Sequence, residues 1–392
     1  MLYFALIKRN NKKSIHMKKT LFAMAAIVGL TVTACSSDDS NSIKNDSTFE
    51  LKVDDLQGDI KDGIVTLDPS KTYTLTGGLV VKSGATLVIP AGTIIKTSPT
   101  ALETSLYIAV ERNAKINING TAAKPVVMTS GKASPAESNW GGLIICGNAK
   151  VNTGDNGTSE VGGLSYGGTD NLDSSGNITF LKIMYTGSKF TAEKEYNGIS
   201  FFGVGSGTEV SNIYAFESGD DGIEFFGGAV NPSNLVIINS YDDSLDFADG
   251  WQGTATNVYI KGITKAGVEG SNNQKNPADA LPMTAGKIVN ISIVKGDDKF
   301  KADEKAINYK EGGGKQTYTN LFVAADMPIA LCKLSTDAGV VANLAAGNFI
   351  ITNYTFGAQI TTLDGPKLSG TTNAATGAGA GASLPSWADW TK

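Results

Sequence analysis

The sequence predicts an all-β protein wound as a parallel β-helix, in which successive coils of one chain stack on each other. The first observation is a repeat, because the stretches that begin at Asn212 and Asn234 match position for position, 22 residues apart. A period of this length is too short for a pair of helices and suits one coil of a β-solenoid. The second observation is composition, because 46 glycines and almost no helix-period stretches are typical of a chain with many tight turns.

Residues 1–34 have the features of a bacterial export signal. The basic pair Lys18-Lys19 precedes an apolar run of about 14 residues, short of the roughly 20 that a membrane-spanning helix needs. We then expect translation to begin at Met17, so that residues 1–16 are an over-long start. The residues before Cys35 resemble the bacterial lipobox, so we expect cleavage there and a lipid on the Cys35 thiol. A membrane-spanning anchor is the alternative.

Residues 35–58 are polar and predict a flexible tether. The acidic pair Asp38-Asp39, close to Cys35, resembles the signal that directs lipoproteins of the Bacteroidota to the cell surface. A merely hydrophilic linker is the alternative. We therefore expect a lipid-anchored protein of the outer membrane that faces outward.

Residues 59–370 carry the repeat and predict the β-helix. An asparagine followed by a β-branched or aromatic tetrad recurs along the segment, at Asn177, Asn212, Asn234, Asn257, Asn290, Asn320 and Asn348. Each tetrad alternates as a short strand does. Asparagine tolerates the left-handed backbone of a sharp bend, and amides stacked from coil to coil hydrogen-bond along the axis. Scattered loop asparagines are the alternative.

The repeat also predicts what fills the interior. A coil of this length holds about three strands of four to six residues, and the segment allows about 12 coils. Alternate side chains of a strand point inward. Two interior rows are therefore expected, Ile199–Ile223–Leu245 and Phe201–Phe225–Phe247.

Residues 371–392 begin as a glycine- and alanine-rich segment and end in Trp387-Ala388-Asp389-Trp390. We expect this end to form a cap in which the two indoles cover the last coil, because exposed strand edges invite aggregation. For residues 371–382, a disordered tail is the alternative.

Two segments, Ile118–Ser130 and Trp140–Ala149, resemble a large family of secreted proteins and lipoproteins of the Bacteroidota, often carried under uninformative names such as multidrug transporter. Its members are identified as right-handed parallel β-helices of the pectate-lyase-like superfold. The resemblance, over residues 60–360, implies a right-handed helix here. It implies no single activity, because that superfold hosts lyases, hydrolases, adhesins and inert scaffolds.

Several kinds of chemistry are excluded by composition. The one histidine, His16, lies in the leader, so the mature chain has no His-ligated metal and no histidine-based nucleophile pair. No phosphate loop or dinucleotide fingerprint indicates a nucleotide. After cleavage, 27 basic residues face 38 acidic ones, and a net charge of −11 does not favour nucleic acid. Cys146 and Cys332 read as buried free thiols.

Carboxylates remain as the candidate metal ligands. Asp220 and Asp221 align with Asp242 and Asp243 on the next coil, where strands lie about 5 Å apart. Charges this close need a counter-ion, raised pKa values or solvent. Calcium suits them, since it takes six to eight oxygen ligands in loose geometry. Exposed turn carboxylates are the alternative, and the outward-facing pair Glu224 and Asp246 would then simply be solvated.

The same residues suggest an enzyme. The resemblance to pectate-lyase-like proteins implies acidic residues that hold a uronate through calcium, beside a basic residue that takes the proton. Asp242 and Asp243 would then hold the ion, and Lys261 or Lys265 would act as the base.

Polar insertions at 152–176, 187–196 and 264–287 interrupt the coils, and loops on a rigid scaffold commonly bind ligands. Aromatic residues in or near them are candidates for stacking on sugar rings: Tyr166, Phe190, Tyr196, Tyr241 and Trp251. The favoured function is thus a non-catalytic surface protein, an adhesin, that binds an extracellular glycan or another surface ligand. A calcium-dependent lyase for acidic polysaccharide and a passive coat protein are the alternatives.

Overall fold

The chain consists mainly of short strands separated by glycine-rich turns. A computed structural model describes residues 45–154, 156–192, 194–296, 305–327 and 330–392. The signal segment 1–34, the predicted lipidation residue Cys35 and the tether as far as residue 44 lie outside the described residues.

The strands follow each other with short connections and few insertions. In chain order they are β1 Leu56–Ile60, β2 Ile64–Thr66, β3 Thr72–Val81, β4 Thr86–Pro90, β5 Ile94–Thr97, β6 Ile108–Val110, β7 Lys115–Asn119, β8 Val126–Thr129, β9 Leu143–Cys146, β10 Gly157–Thr158, β11 Ser165–Tyr166, β12 Gly176–Met184, β13 Ile199–Phe202, β14 Glu209–Phe216, β15 Ile223–Phe226, β16 Ser233–Ser240, β17 Leu245–Ala248, β18 Thr254–Ile263, β19 Val268–Ser271, β20 Lys287–Val294, β21 Ile307–Lys310, β22 Gln316–Val323, β23 Cys332–Leu334, β24 Phe349–Phe356 and β25 Lys367–Thr372. One α-helix, α1 Ala338–Ala345, and two 3-10 helices, Glu103–Ser105 and Ser386–Thr391, complete the described elements.

These strands form a right-handed parallel β-helix, as the sequence predicted. One face, named here the cleft sheet, stacks β1, β3, β6, β9, β13, β15, β17, β19, β21 and β23 in parallel. The described residues therefore place ten strands in this stack, fewer than the expected 12 coils, because several coils carry long insertions. In the later coils the other two faces are built from both halves of the long strands β12, β14, β16, β18, β20, β22 and β24. In the first coils one of these faces consists of β2, β4 and β7, and the other includes β5 and β8.

Each long strand bends at a residue in the left-handed conformation near its middle or in its first half. At Asn212, Asn234 and Asn257 φ is 57°, 57° and 60°, and Nδ2 of each later asparagine donates to Oδ1 of the one before, at 3.1 and 2.9 Å. The ladder continues through Asn290 and Asn320. The bend and the amide stacking are thus confirmed at these five asparagines. The segments before and after each of them belong to one bent strand rather than to two separate strands.

Two of the predicted ladder residues do not lie at the bend. In β12 the bend falls at Phe180 (φ 50°), and Asn177 instead donates to Oδ1 of Asn119 at 2.7 Å. In β24 the bend falls at Asn353 (φ 55°), and Asn348 bonds to Asn343. The predictions for Asn177 and Asn348 are wrong because the bend lies three residues after Asn177 and five residues after Asn348.

The interior rows are confirmed residue by residue. Ile199 pairs with Ile223 and Ile223 with Leu245, while Phe201, Phe225 and Phe247 pair in the same way. All six side chains are buried, and the rings of Phe201 and Phe225 stack 5.1 Å apart. The cleft sheet therefore keeps a fixed inward face, and the side chains between these rows point outward.

The carboxyl-terminal segment does not cover the last coil. It turns back and runs along the outside of the long strands, where Thr376 bonds to Asn320, Ala378 to Ser292 and Ala382 to the Tyr259 hydroxyl. At its end, the ring of Trp390 meets Phe180 of β12 edge to face, 5.4 Å away. The predicted cap of two indoles is corrected accordingly, because the segment finds its apolar partners on the side of the β-helix. Among the described helices, none is long and apolar enough to cross a membrane.

Candidate binding cleft

A cleft of about 1130 Å³ lies on the outer face of the cleft sheet. Its floor is formed by β13, β15, β17, β19 and β21, and its walls include the β10–β11 hairpin and the segment Asn273–Asn276. Eleven carboxylates line it, against four lysines, so the cleft is strongly acidic among the described residues: Glu160, Glu195, Asp220, Asp221, Glu224, Asp242, Asp243, Asp246, Asp249, Glu269 and Glu311 against Lys265, Lys275, Lys310 and Lys333.

The register of the floor strands aligns the central carboxylates. Glu224 pairs with Asp246, and Asp246 pairs with Glu269, so the three side chains form one column between the inward rows. Their exposed fractions are only 8, 8 and 4 %. The expectation that Glu224 and Asp246 are solvated is therefore wrong, because insertions fold over this part of the sheet.

The four aspartates predicted as metal ligands lie together in the turns before β15 and β17. Oδ1 of Asp221 accepts the backbone N–H of Asp243 at 2.9 Å, and Oδ1 of Asp243 accepts that of Ala266 at 2.7 Å. Each of these two buried carboxylates thereby ties its coil to the next. Asp220 and Asp242 are only partly buried and lie nearer the mouth of the cleft.

Burial controls the ionisation of these groups. Loss of hydration, with repulsion from neighbouring carboxylates, raises the pKa of Asp221, Glu224, Asp243 and Asp246 well above the ordinary range. The same causes raise the pKa of Asp220 to about 8. The cleft therefore holds protons near neutral pH unless another positive charge replaces them.

Two of the four lysines of the cleft are held in ion pairs. Lys265 Nζ lies 2.6 Å from Asp242, and Lys310 Nζ lies 2.5 Å from Glu269. Burial opposes both ammonium charges, but the carboxylates outweigh it and raise the pKa of each lysine. The ion pair with Asp242 stabilises the protonated form of Lys265, whereas a lyase base must first lose that proton. The role of Lys265 as a base stays a prediction. Lys261 projects from β18, on another face of the β-helix.

The aromatic residues predicted to stack on sugars are dispersed. Trp251 is fully buried in the core, with its ring 4.8 Å from that of Phe225, so it offers no surface to a ligand. Tyr196 is also buried, and its hydroxyl donates to the Thr104 carbonyl. The stacking role predicted for Trp251 and Tyr196 is therefore wrong.

The other three predicted aromatic residues differ in position. Tyr166 lies in the wall of the cleft, in β11. Phe190 is 41 % exposed and meets Tyr196 edge to face. Tyr241 is partly buried and lies beside the turn of Asp242, outside the lining of the cleft.

Residues that sequence reasoning missed complete the floor. Asn308 donates to Glu269 at 2.6 Å, and Asn197 donates to Glu224 at 2.5 Å. A signal for Glu269 existed, because extending the alignment of Leu245-Asp246-Phe247 by one coil gives Val268-Glu269-Gly270. Three groups of carboxylates each bring one oxygen per residue within 4.8 Å of the others: Asp220–Asp221–Asp242, Asp221–Glu224–Asp246 and Asp243–Asp246–Glu269.

Comparison with known proteins gives the family. The profile of a family described as pectate-lyase like beta helix domain matches residues 58–391. The chain belongs to this family. As a pectate-lyase-like β-helix protein it places its acidic cleft over floor strands of four residues each. The family name implies no particular ligand.

A further similarity is to a curated bacterial surface protein. The pectate-lyase-like chain is 22 % identical over 260 residues to the major fimbrium subunit FimA type-4 of Porphyromonas gingivalis. The match covers 64 % of this chain, and the chain spans about three-fifths of the relative's length, 61 %. No solved structure matches the chain.

Proposed function

We propose that this protein is an adhesin-like component of the bacterial cell surface, held to the outer membrane by a lipid on Cys35 and facing outward. Its acidic cleft binds an extracellular glycan without chemical change. The similarity to a fimbrium subunit supports the location at the surface. The export signal and lipobox-like sequence support the anchor.

The observation that carries the binding role is the cleft itself. At about 1130 Å³ it slightly exceeds the roughly 300–1,000 Å³ typical of small-molecule sites, which suits an oligosaccharide. Its lining offers carboxylates, the amides of Asn152, Asn273 and Asn276, and the ring of Tyr166. Such groups accept and donate hydrogen bonds to sugar hydroxyls.

The charge of the cleft limits the ligand. A uronate polymer would add its own carboxylates to a cleft already lined by eleven. Charge repulsion, or the further protons needed to avoid it, disfavours such a ligand. A neutral, hydroxyl-rich glycan carries no such penalty. The ion pairs of Lys265 and Lys310 also favour binding over base catalysis, since neither lysine is free to take a proton.

The test fills the cleft without removing a carboxylate. Ala248 projects outward from β17 into the cleft, so Ala248→Trp should abolish binding to the neutral glycans that the wild-type protein retains on a glycan array. Ala122→Trp is the matched control, because Ala122 is exposed in the turn after β7 and does not line the cleft. It should bind as the wild type does.

Two other results would contradict the proposal. If the wild-type protein binds no glycan, the passive coat becomes the better interpretation. If acidic polysaccharides gain ultraviolet absorbance from an unsaturated product on incubation with the protein and calcium, the protein is a lyase.

A further inference from the structure

One group of carboxylates on the floor of the cleft has no partner cation among the described residues. Asp221 lies in the turn before β15, Glu224 in β15 and Asp246 in β17, and one oxygen of each lies within 4.8 Å of the others. All three residues line the cleft and are buried. In the described part of the chain, no lysine or arginine forms an ion pair with any of them. Protons, or a cation from outside the chain, must therefore balance their charge.

Two buried oxygens in or beside this group lack a hydrogen-bond donor. Asp246 is 8 % exposed, and its Oδ1 has no partner. Asn197 is 2 % exposed and donates from Nδ2 to Glu224, while its own Oδ1 has no partner. Buried polar atoms are almost always satisfied, so two such acceptors indicate a place for a group with several N–H or O–H bonds. A single proton on one carboxyl would satisfy at most one of them.

The spacing of the three carboxylates suits a primary ammonium group. Its N–H bonds point tetrahedrally, and each bond to a carboxylate oxygen is about 2.7–2.9 Å long, so its acceptors lie about 4.6 Å apart. The oxygens of Asp221, Glu224 and Asp246 keep within 4.8 Å of each other. A half-turn about the Cβ–Cγ bond exchanges the two oxygens of Asp246, so its unpartnered oxygen can face the ligand.

The structure of the cleft favours a sugar over a peptide as the carrier of this amine. The floor strands β13, β15, β17 and β19 are each paired on both sides, so an extended peptide finds no free strand edge to join. The lining instead includes side-chain amide and hydroxyl groups, among them those of Asn276 and Thr158, which suit the hydroxyls of a sugar.

We propose that the cleft selects a glycan with a free primary amine, such as an amino sugar without its N-acetyl group, and that the ammonium binds to Asp221, Glu224 and Asp246. This inference rests on the proposed function and narrows the ligand from a glycan without acidic groups to one that also carries an amine. The ammonium balances the charge of the three carboxylates and brings several N–H donors to them. An N-acetylated sugar brings one N–H and no charge, so it binds to the walls alone and more weakly.

The test uses oligosaccharides that differ only at nitrogen. Tetramers of glucosamine and of galactosamine, each as the free amine and as the N-acetylated form, are titrated calorimetrically into the wild-type protein. The buffer contains chelator and is held at about pH 6.5, where a primary amine is protonated. At least one free amine should bind about tenfold more tightly than its N-acetylated counterpart, because charge-assisted hydrogen bonds are stronger than neutral ones.

Two variants test whether these carboxylates cause the preference. Glu224→Gln and Asp246→Asn each remove one charge and keep the size of the side chain. Each should reduce the preference for the amine severalfold and leave the affinity for the N-acetylated form unchanged, which also shows that the variant is folded. Glu209→Gln is the matched control, because Glu209 is exposed on β14 and does not line the cleft; it should keep the wild-type preference.

Each contrary result has its own meaning. Equal affinity for the amine and the N-acetylated form overturns the inference and leaves the proposed function standing. A preference for the amine that persists in both variants also overturns it, because the amine then binds elsewhere on an acidic protein. Binding of tetralysine without binding of any amino sugar overturns it in favour of a cationic polypeptide. A protein that binds none of these tetramers and no glycan on an array contradicts the proposed function as well.

Discussion

The two halves of the cleft sheet share an interior and differ outside. One outward row runs Val80, Ala109, Ile144, Ser200 and then Glu224, Asp246, Glu269. In the first half it packs against Val151, Val161 and Tyr166 of the insertion loops to form a small second core. In the second half the same row is acidic and equally buried. Packing fixes the inward rows in both halves. The change from apolar to acidic residues in the outward row is therefore not required by the fold, and it indicates where the binding cleft lies.

The largest loss of stability should come from placing a carboxylate in the apolar half of the outward row. Ile144→Asp buries a carboxylate in the apolar layer that Ile144 forms with Cys146 and Phe202. We expect a loss of about 3 kcal/mol or more in the free energy of unfolding. Urea denaturation measures it, and Ile144→Leu should cost less than about 1.5 kcal/mol. If Ile144→Asp costs no more than Ile144→Leu, the two halves of the outward row are not different environments.

The acidic half should instead respond to pH. Burial raises the pKa of Asp220 to about 8, of Glu160 to about 7 and of Asp249 to about 6, all above their values in the unfolded chain. The folded state then binds more protons than the unfolded state between about pH 4 and 8, and stability falls as pH rises through these values. The slope is at most about 1.4 kcal/mol per pH unit for each group.

Urea denaturation in chelator from pH 5 to pH 8 measures this decline. Asp220→Asn should flatten the upper part of this decline, because Asp220 has the highest pKa of the three. Stability that rises over the same range would show that these carboxylates stay ionised in the folded protein.

A smaller effect is expected at the bend that both halves of the helix require. Asn257 is left-handed, donates to Asn234 and accepts from Asn290. Asn257→Ala should cost about 2–3 kcal/mol in the free energy of unfolding, from about 1–2 for the backbone and about 1 for the amide bonds. Asn257→Gly keeps the backbone freedom and should cost less. Equal losses in the two variants would assign the whole effect to the amide ladder.

What the sequence predicted well depends on repetition. Ile223 and Leu245 recur at a fixed interval with strand alternation, so their interior position and their pairing followed from period alone. The bends predicted at Asn177 and Asn348 were wrong because the same short sequence pattern can lie several residues away from the bend inside a long strand. Repetition therefore predicts the pairing of coils better than the place of each bend.

The sequence predicted the alignment of the site residues but not their burial. The column of Glu224 and Asp246 follows from register, but its burial depends on the β10–β11 hairpin and on the segment Asn273–Asn276, which belong to no repeat. The exposure of Trp251 was likewise misjudged, because a residue that follows a strand may turn back into the core, as the contact with Phe225 shows.

The returning carboxyl-terminal segment alters how the molecule comes apart. In a stack of coils that touch only their neighbours, either end can fray one coil at a time. Here residues 376–390 reach from Asn320 back to Phe180, over coils that precede them in the chain. A coil between Phe180 and Asn320 cannot separate from its neighbours unless this returning segment, named here the strap, is released first. The strap thus converts gradual fraying into a concerted opening, and a protease would find few partly open forms to cut.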